Sequence, residues 1–224
     1  MNFRYPIFLD LMGKKCVVTG EGVEIAAKVR ALVEASAQVV YVNPAAEPRI
    51  ANLAESGAVN WQRRKFEPQD LDDCFLIISD LEDNSEVFAL AEARNVLCNS
   101  VDDPEHCRFS FGSIHRQGDL TIAISTNGRA PALAVRLREW LEREIGPEYG
   151  VLLEMMKRIR PEVNADLLDF EKRRQLWYRI VDSDVLTLLR DGRPAEADAC
   201  VRTMVEEALS NTSHFRTSFN NGCP

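Results

Sequence analysis

Apolar residues cluster along this chain in two rhythms. In KKCVVTG (14–20), AQVVYVNP (37–44), AVNWQRRKF (58–66), CFLIISD (74–80) and VLCNSV (96–101) short apolar runs read as strands, the uninterrupted ones as strands buried on both faces. Between them, GVEIAAKVRALVEA (22–35) places Ile25, Val29, Leu32 and Val33 on one helical face, with Ser36 near its end. PRIANLAESG (48–57) and NSEVFALAEARN (84–95) also read as helices. Strands alternating with helices at this spacing predict an α/β fold: a Rossmann-like parallel sheet with helices on both sides, ending near residue 112.

The pattern then changes. DLTIAISTNG (119–128) reads as one more strand, followed by PALAVRLREWLEREIG (131–146), an amphipathic helix with Leu133, Leu137, Trp140 and Leu141 on one stripe. A strand and a helix make too little core to stand alone, so 113–146 is expected to pack on a partner chain as a dimerisation segment. From Pro147 strand signals vanish, and EYGVLLEMMKRIRPEV, DLLDFEKRRQLWYRIVDSDVLTLLRDG and PAEADACVRTMVEEALS predict a small all-helical domain over 147–210. The polar residues 211–224 read as a flexible tail.

A net charge of -8 argues against nonspecific nucleic-acid binding, since a phosphate backbone repels such a surface. The densest basic run, KRRQLW (172–177), reads as a solvated helix face. No stretch approaches the roughly 18 apolar residues of a membrane span, and MNFRYPIFLDLMGKKC lacks a secretory pattern, so a cytoplasmic protein without membrane contact is expected. The six cysteines form no C-x-x-C pair, and Cys98, His106 and Cys107 make no convincing ligand set, so no bound metal is expected.

Chemistry concentrates at the strand ends. Gly20 and Gly22 follow the first strand and open the first helix, the context in which G-x-G makes a tight turn and lets a pyrophosphate approach the helix N-terminus. Ile25 stands where the third small residue belongs, so the helix is expected either to move outward or to find a smaller residue opposite. After the second strand, where an acid usually grips the ribose, Asn43 stands instead, which leaves NAD and NADP both open. VLCNSVDDP places Asn99 and Asp102 either at a ligand-binding strand end or at the start of a turn before Pro104.

The stretches YPIFLDLMGKKCVVTGEG, LCNSVDDP, GSIHRQGDLTIAISTNGRAPALAVRLREWLE and EKRRQLWYRIV, in this order over roughly residues 4–210, resemble the precorrin-2 dehydrogenase and sirohydrochlorin ferrochelatase family, which includes the amino-terminal module of siroheme synthases. The resemblance implies a homodimer that oxidises precorrin-2 to sirohydrochlorin with NAD, in several members also inserting ferrous iron to give siroheme. It implies that Asp102 is catalytic and that Gly20, Gly22, Val23, Glu24, Asn43, Pro44 and Ala45 contact the dinucleotide. Asn99, Ser125 and Thr126 are the candidates to face the substrate, with Arg129, an added charge in the loop after the central strand, either pairing with a tetrapyrrole carboxylate or standing as a solvated loop arginine.

Departures from the pattern gather near the cofactor. Asp80 and Leu81 replace small and hydroxyl-bearing residues after the fourth strand, and a carboxylate is unfavourable beside a dinucleotide phosphate. An alternative is therefore a relative that binds or metallates a tetrapyrrole without using a dinucleotide. Thr126 retains a hydroxyl where some relatives carry a phosphorylatable serine. A polycarboxylate substrate requires local positive charge, for which Arg108, His115, Arg116, Arg129, Arg173 and Arg174 are the candidates.

Overall fold

The computed structural model describes residues 5–167 and 169–217, the last seven as helix backbone only. Its contacts divide the chain into two units that meet in sequence at Phe111 and Gly112.

The first unit is a five-stranded sheet in the order β3-β2-β1-β4-β5, with β1 at Lys15–Gly20, β2 at Gln38–Val42, β3 at Val59–Gln62, β4 at Leu76–Asp80 and β5 at Leu97–Ser100. All pairings are parallel. The crossovers carry α1 (Gly22–Glu34), α2 (Pro48–Glu55) and α3 (Ser85–Ala93), while a short 3-10 turn (Pro68–Leu71) stands between β3 and β4. Successive strand residues point to opposite faces. Cys16, Val18, Val39, Tyr41, Leu76 and Ile78 therefore join a core with Ile25, Val29 and Ile50. Their neighbours Val17, Val42, Ile77 and Cys98 join a second core with Leu71, Val87 and Ala91. Both faces are covered, which is why these strands read as apolar runs rather than alternations.

The strand expected over 58–66 is shorter than its apolar signal, because past Gln62 the side chains turn to other work. Arg63 stacks on the Trp61 ring at 4.2 Å, and Arg64 forms a bidentate pair with buried Asp70 at 2.8 and 2.6 Å.

The second unit begins with an antiparallel hairpin, β6 (Ser113–Gln117) and β7 (Leu120–Ile124). Among the described residues five helices follow: α4 (Pro131–Glu144), α5 (Pro147–Asp166), α6 (Phe170–Val181), α7 (Val185–Arg190) and α8 (Pro194–Thr217). Leu152, Met155, Ile159 and Val163 of α5 pack with Leu176, Ile180, Val185, Val201 and Met204 in one core. The segment 113–146 thus contains two strands where one was expected. The helical stretch read through 166–192 breaks after α6, where the Ser183 hydroxyl donates to the Ile180 carbonyl at 2.7 Å. The tail expected from 211 is helical through Thr217, because neither glycine nor proline interrupts the chain before Gly222; residues 218–224 of that tail lie outside the described residues.

Candidate functional site: the carboxyl edge of the parallel sheet

The glycine turn is shaped by its neighbours. A Cβ on Gly20 would lie 2.6 Å from both Cβ and the carbonyl oxygen of Asp80, so β1 and β4 approach at the turn as closely as only glycine permits. Gly22, at φ +92, has open space where a Cβ would project. The residue before α1, Glu21, makes no side-chain cap to the helix, so the first-turn N–H groups of α1 receive no cap from it. Glu21, Gly22, Val23 and Glu24 are exposed around this opening, as are Pro44 and Ala45 after β2. Open space over Gly22 beside uncapped helix N–H groups suits a pyrophosphate.

Ile25 does not obstruct that opening. It is fully buried on the sheet side of α1, in the core that holds Cys16 and Val18, and so points away from the opening.

At the end of β2, the Tyr41 hydroxyl donates to the Gly20 carbonyl at 2.7 Å and lies 3.2 Å from the Ala45 carbonyl. Burial, with the nearby Glu21 charge, pushes its pKa up to about 12. Asn43 is buried, and its amide donates to Glu21 Oε1 at 3.0 Å and to the Ala45 carbonyl at 2.8 Å. Glu21, inside the glycine turn, thereby reaches the end of a different strand. This residue went unnoticed in the sequence reading; the only signal for it was an acid in the turn combined with the absence of one after β2.

Asp102 follows β5 in the left-handed conformation, φ +53, and is exposed. Short polar side chains tolerate this region better than others. Burial raises the pKa of Asp80, and the charges of Glu24 and Asp102 raise it further. Three carboxylates from β4, α1 and the end of β5 therefore share one edge of the sheet. Beside them Asp103 accepts or shares a hydrogen bond with His106 Nδ1 at 2.7 Å, which holds its carboxyl below the usual range.

Asn99 is buried at the end of β5. Its amide donates to the Phe109 carbonyl at 2.8 Å and reaches Cys107 Sγ at 3.4 Å, tying the chain after β5 back onto the strand. Ser125 and Thr126 lie in the second unit, in the loop between β7 and α4. Their hydroxyls accept from Asn127 N at 3.1 Å and Ala130 N at 3.3 Å, ordering the loop.

The candidate cations are largely engaged elsewhere. Arg108 pairs with Glu92, Arg173 donates to the Leu167 carbonyl at 2.7 Å and Arg174 pairs with Glu171 at 2.7 Å. His115 is buried, with Nε2 2.9 Å from the Ile145 carbonyl. Arg116 is also partnered. Arg129 is exposed and has no side-chain partner among the described residues.

Three family models match in succession: residues 7–113 a putative NAD(P)-binding domain, 117–144 the sirohaem biosynthesis protein central region, and 148–205 the sirohaem synthase dimerisation region. The chain belongs to the family of siroheme synthase amino-terminal modules. Among curated relatives, a siroheme synthase 1 of Serratia proteamaculans is 35% identical over 205 residues, covering 90% of this chain and 43% of the relative. A siroheme synthase of Pseudoalteromonas translucida is 37% identical over 203 residues, covering 89% and 43%. The chain thus spans less than half the length of these siroheme synthases. A solved structure titled SirC, precorrin-2 dehydrogenase, shares the fold, with a TM-score of 0.72 at 20% identity, covering 89% of this chain and all of that one.

Proposed function

We propose that this family member binds NAD at the glycine turn, oxidises precorrin-2 to sirohydrochlorin, and inserts ferrous iron, as substrate, to give siroheme. The observation that carries the reading is the position of Asp102. It stands beyond the carboxyl end of β5, in the same unit as the glycine turn, close enough to Asp80 to perturb it electrostatically while Asp80 itself abuts Gly20.

When bound, NAD supplies the hydride acceptor of the dehydrogenation. The first-turn N–H groups of α1 and the open face of Gly22 receive its pyrophosphate. The oxidation removes one hydride and one proton from the macrocycle, and the exposed Asp102 carboxylate takes the proton as general base. In the chelation step the same carboxylate accepts the protons that pyrrole nitrogens release to ferrous iron. Two copies of the chain associate, with the exposed stripe on α4 that holds Leu133, Leu137 and Trp140 as a contact.

The experiment follows precorrin-2 oxidation with NAD by absorbance. Asp102→Asn keeps the size and hydrogen-bonding capacity of the side chain but removes the base, and turnover is expected to fall by about 100-fold or more. Turnover within about twofold of wild type would remove Asp102 from the mechanism. A second reading, a tetrapyrrole binder or chelatase that no longer uses a dinucleotide, is favoured by the Asp80 carboxylate beside Gly20. Metal insertion into supplied sirohydrochlorin in a protein that binds neither NAD nor NADH would select it.

A further inference from the structure

We propose that Glu21, the middle residue of the glycine turn, recognises the adenosine ribose and makes the site select NAD over NADP. The proposal rests on the dinucleotide reading above and goes beyond it by naming the residue that decides the cofactor.

In a dinucleotide fold the ribose hydroxyls lie over the end of the second strand, where a carboxylate accepts hydrogen bonds from them. This chain places an amide there, and that amide has no donor to offer a ligand, since it donates to Glu21 Oε1 at 3.0 Å and to the Ala45 carbonyl at 2.8 Å. Its effect is to hold a carboxylate, delivered from the turn after β1, over the end of β2. The anchor is rigid. Asn43 is 7% exposed, its carbonyl accepts from Trp61 Nε1 at 2.9 Å, and Tyr41 ties the Gly20 carbonyl to the same corner at 2.7 Å.

Glu21 itself is exposed, and among the described residues only Oε1 has a hydrogen-bond partner, which leaves Oε2 and the remaining lone pairs for a ligand. An ionised carboxylate accepts from a 2′-hydroxyl and repels a 2′-phosphate. The side chain thus occupies the place of the missing strand-end acid and performs its discrimination, having entered from a different strand.

One cation stands nearby in the sheet. Arg63 follows Gln62, the residue paired with Val42, and its guanidinium stacks on Trp61 at 4.2 Å. Were Arg63 the dominant group, it would attract a 2′-phosphate and reverse the preference. The test distinguishes the two.

Binding of NADH and NADPH to the full chain is measured at equilibrium by nicotinamide fluorescence and calorimetry, for wild type, Glu21→Gln and Glu21→Asp. Wild type is expected to bind NADH at least about tenfold more tightly than NADPH. Glu21→Gln, isosteric and neutral, is expected to shrink that ratio by about tenfold, and Glu21→Asp, which keeps the charge, to retain most of it. A ratio unchanged in Glu21→Gln, or a wild type that prefers NADPH, overturns the assignment to Glu21 while leaving a dinucleotide site. Failure of wild type to bind either cofactor overturns the dinucleotide reading itself, and the assignment with it. Because Glu21 is exposed, unaltered circular dichroism is expected in each variant and confirms that the ratio reports recognition rather than folding.

Discussion

At Asp80 a carboxylate stands where β4 comes closest to the glycine turn, and its proton is held more tightly than in an ordinary aspartate by burial and by the charges of Glu24 and Asp102. Two unit charges about 4 Å apart repel by about 4 kcal/mol at an effective dielectric near 20, before relaxation. An anionic dinucleotide is therefore expected to bind less tightly as pH rises through the raised pKa of Asp80. Titrations of NAD affinity should show that decline in wild type and a flatter profile with affinity about tenfold higher at neutral pH in Asp80→Ser. The same shift works against the fold. A raised acid pKa contributes stability that is present in full below the unfolded value of about 3.9 and lost as pH rises through the folded one. Asp80 was visible in the sequence as an unusual residue after the fourth strand, and so was Ile25 in the turn. Their consequences differ because Ile25 points into the core, where apolar volume is absorbed, whereas Asp80 remains at the edge. Sequence spacing alone gives no direction to either side chain.

Among the elements, the crossover from β3 to β4 departs from the regular pattern, with a 3-10 turn where the other crossovers carry helices. Arg64 fastens it. Burial works to raise the pKa of Asp70, but the two Arg64 hydrogen bonds and one from the Glu67 N–H at 2.9 Å outweigh it and leave the carboxyl below its ordinary range. Arg64→Ala leaves a buried carboxylate without its charged partner and is expected to cost about 1–3 kcal/mol in urea unfolding at neutral pH. Because a depressed acid pKa stabilises above the unfolded value and that contribution is lost as pH falls through the folded one, the difference from wild type should shrink in acid. Element reading from the sequence succeeded for the parallel strands, whose apolar runs reflect burial on both faces. It missed β6, because SIHRQ buries His115 and exposes Ile114, its one apolar residue, rather than presenting an apolar run. The two residues between Gln117 and Leu120, Gly118 and Asp119, were the available hairpin signal.

For the whole molecule, the stripe expected on the helix after the central strand lies on α4, with Leu133, Trp140 and Leu137 exposed to 53%, 50% and 39%. Under the proposed assembly this exposed apolar stripe is a contact between the two copies. Trp140→Glu, or Leu137→Glu, places a charge in that interface and is expected to convert a dimer into monomer in sedimentation equilibrium while helix content is retained. A monomeric wild type would exclude the assembly.

The sequence by itself determined the alternation of strands and helices, the glycine turn and the carboxylate after β5, because each depends on residues close together in the chain: periodicity, backbone freedom and strand ends are local properties. Only the tertiary structure decided what meets at the sheet edge. Parallel crossovers bring strand ends from distant parts of the chain side by side, so Glu21 reaches Asn43, Asp80 covers Gly20, and Asp102 adds its charge to theirs. No local pattern encodes those pairings, which depend on strand order and register.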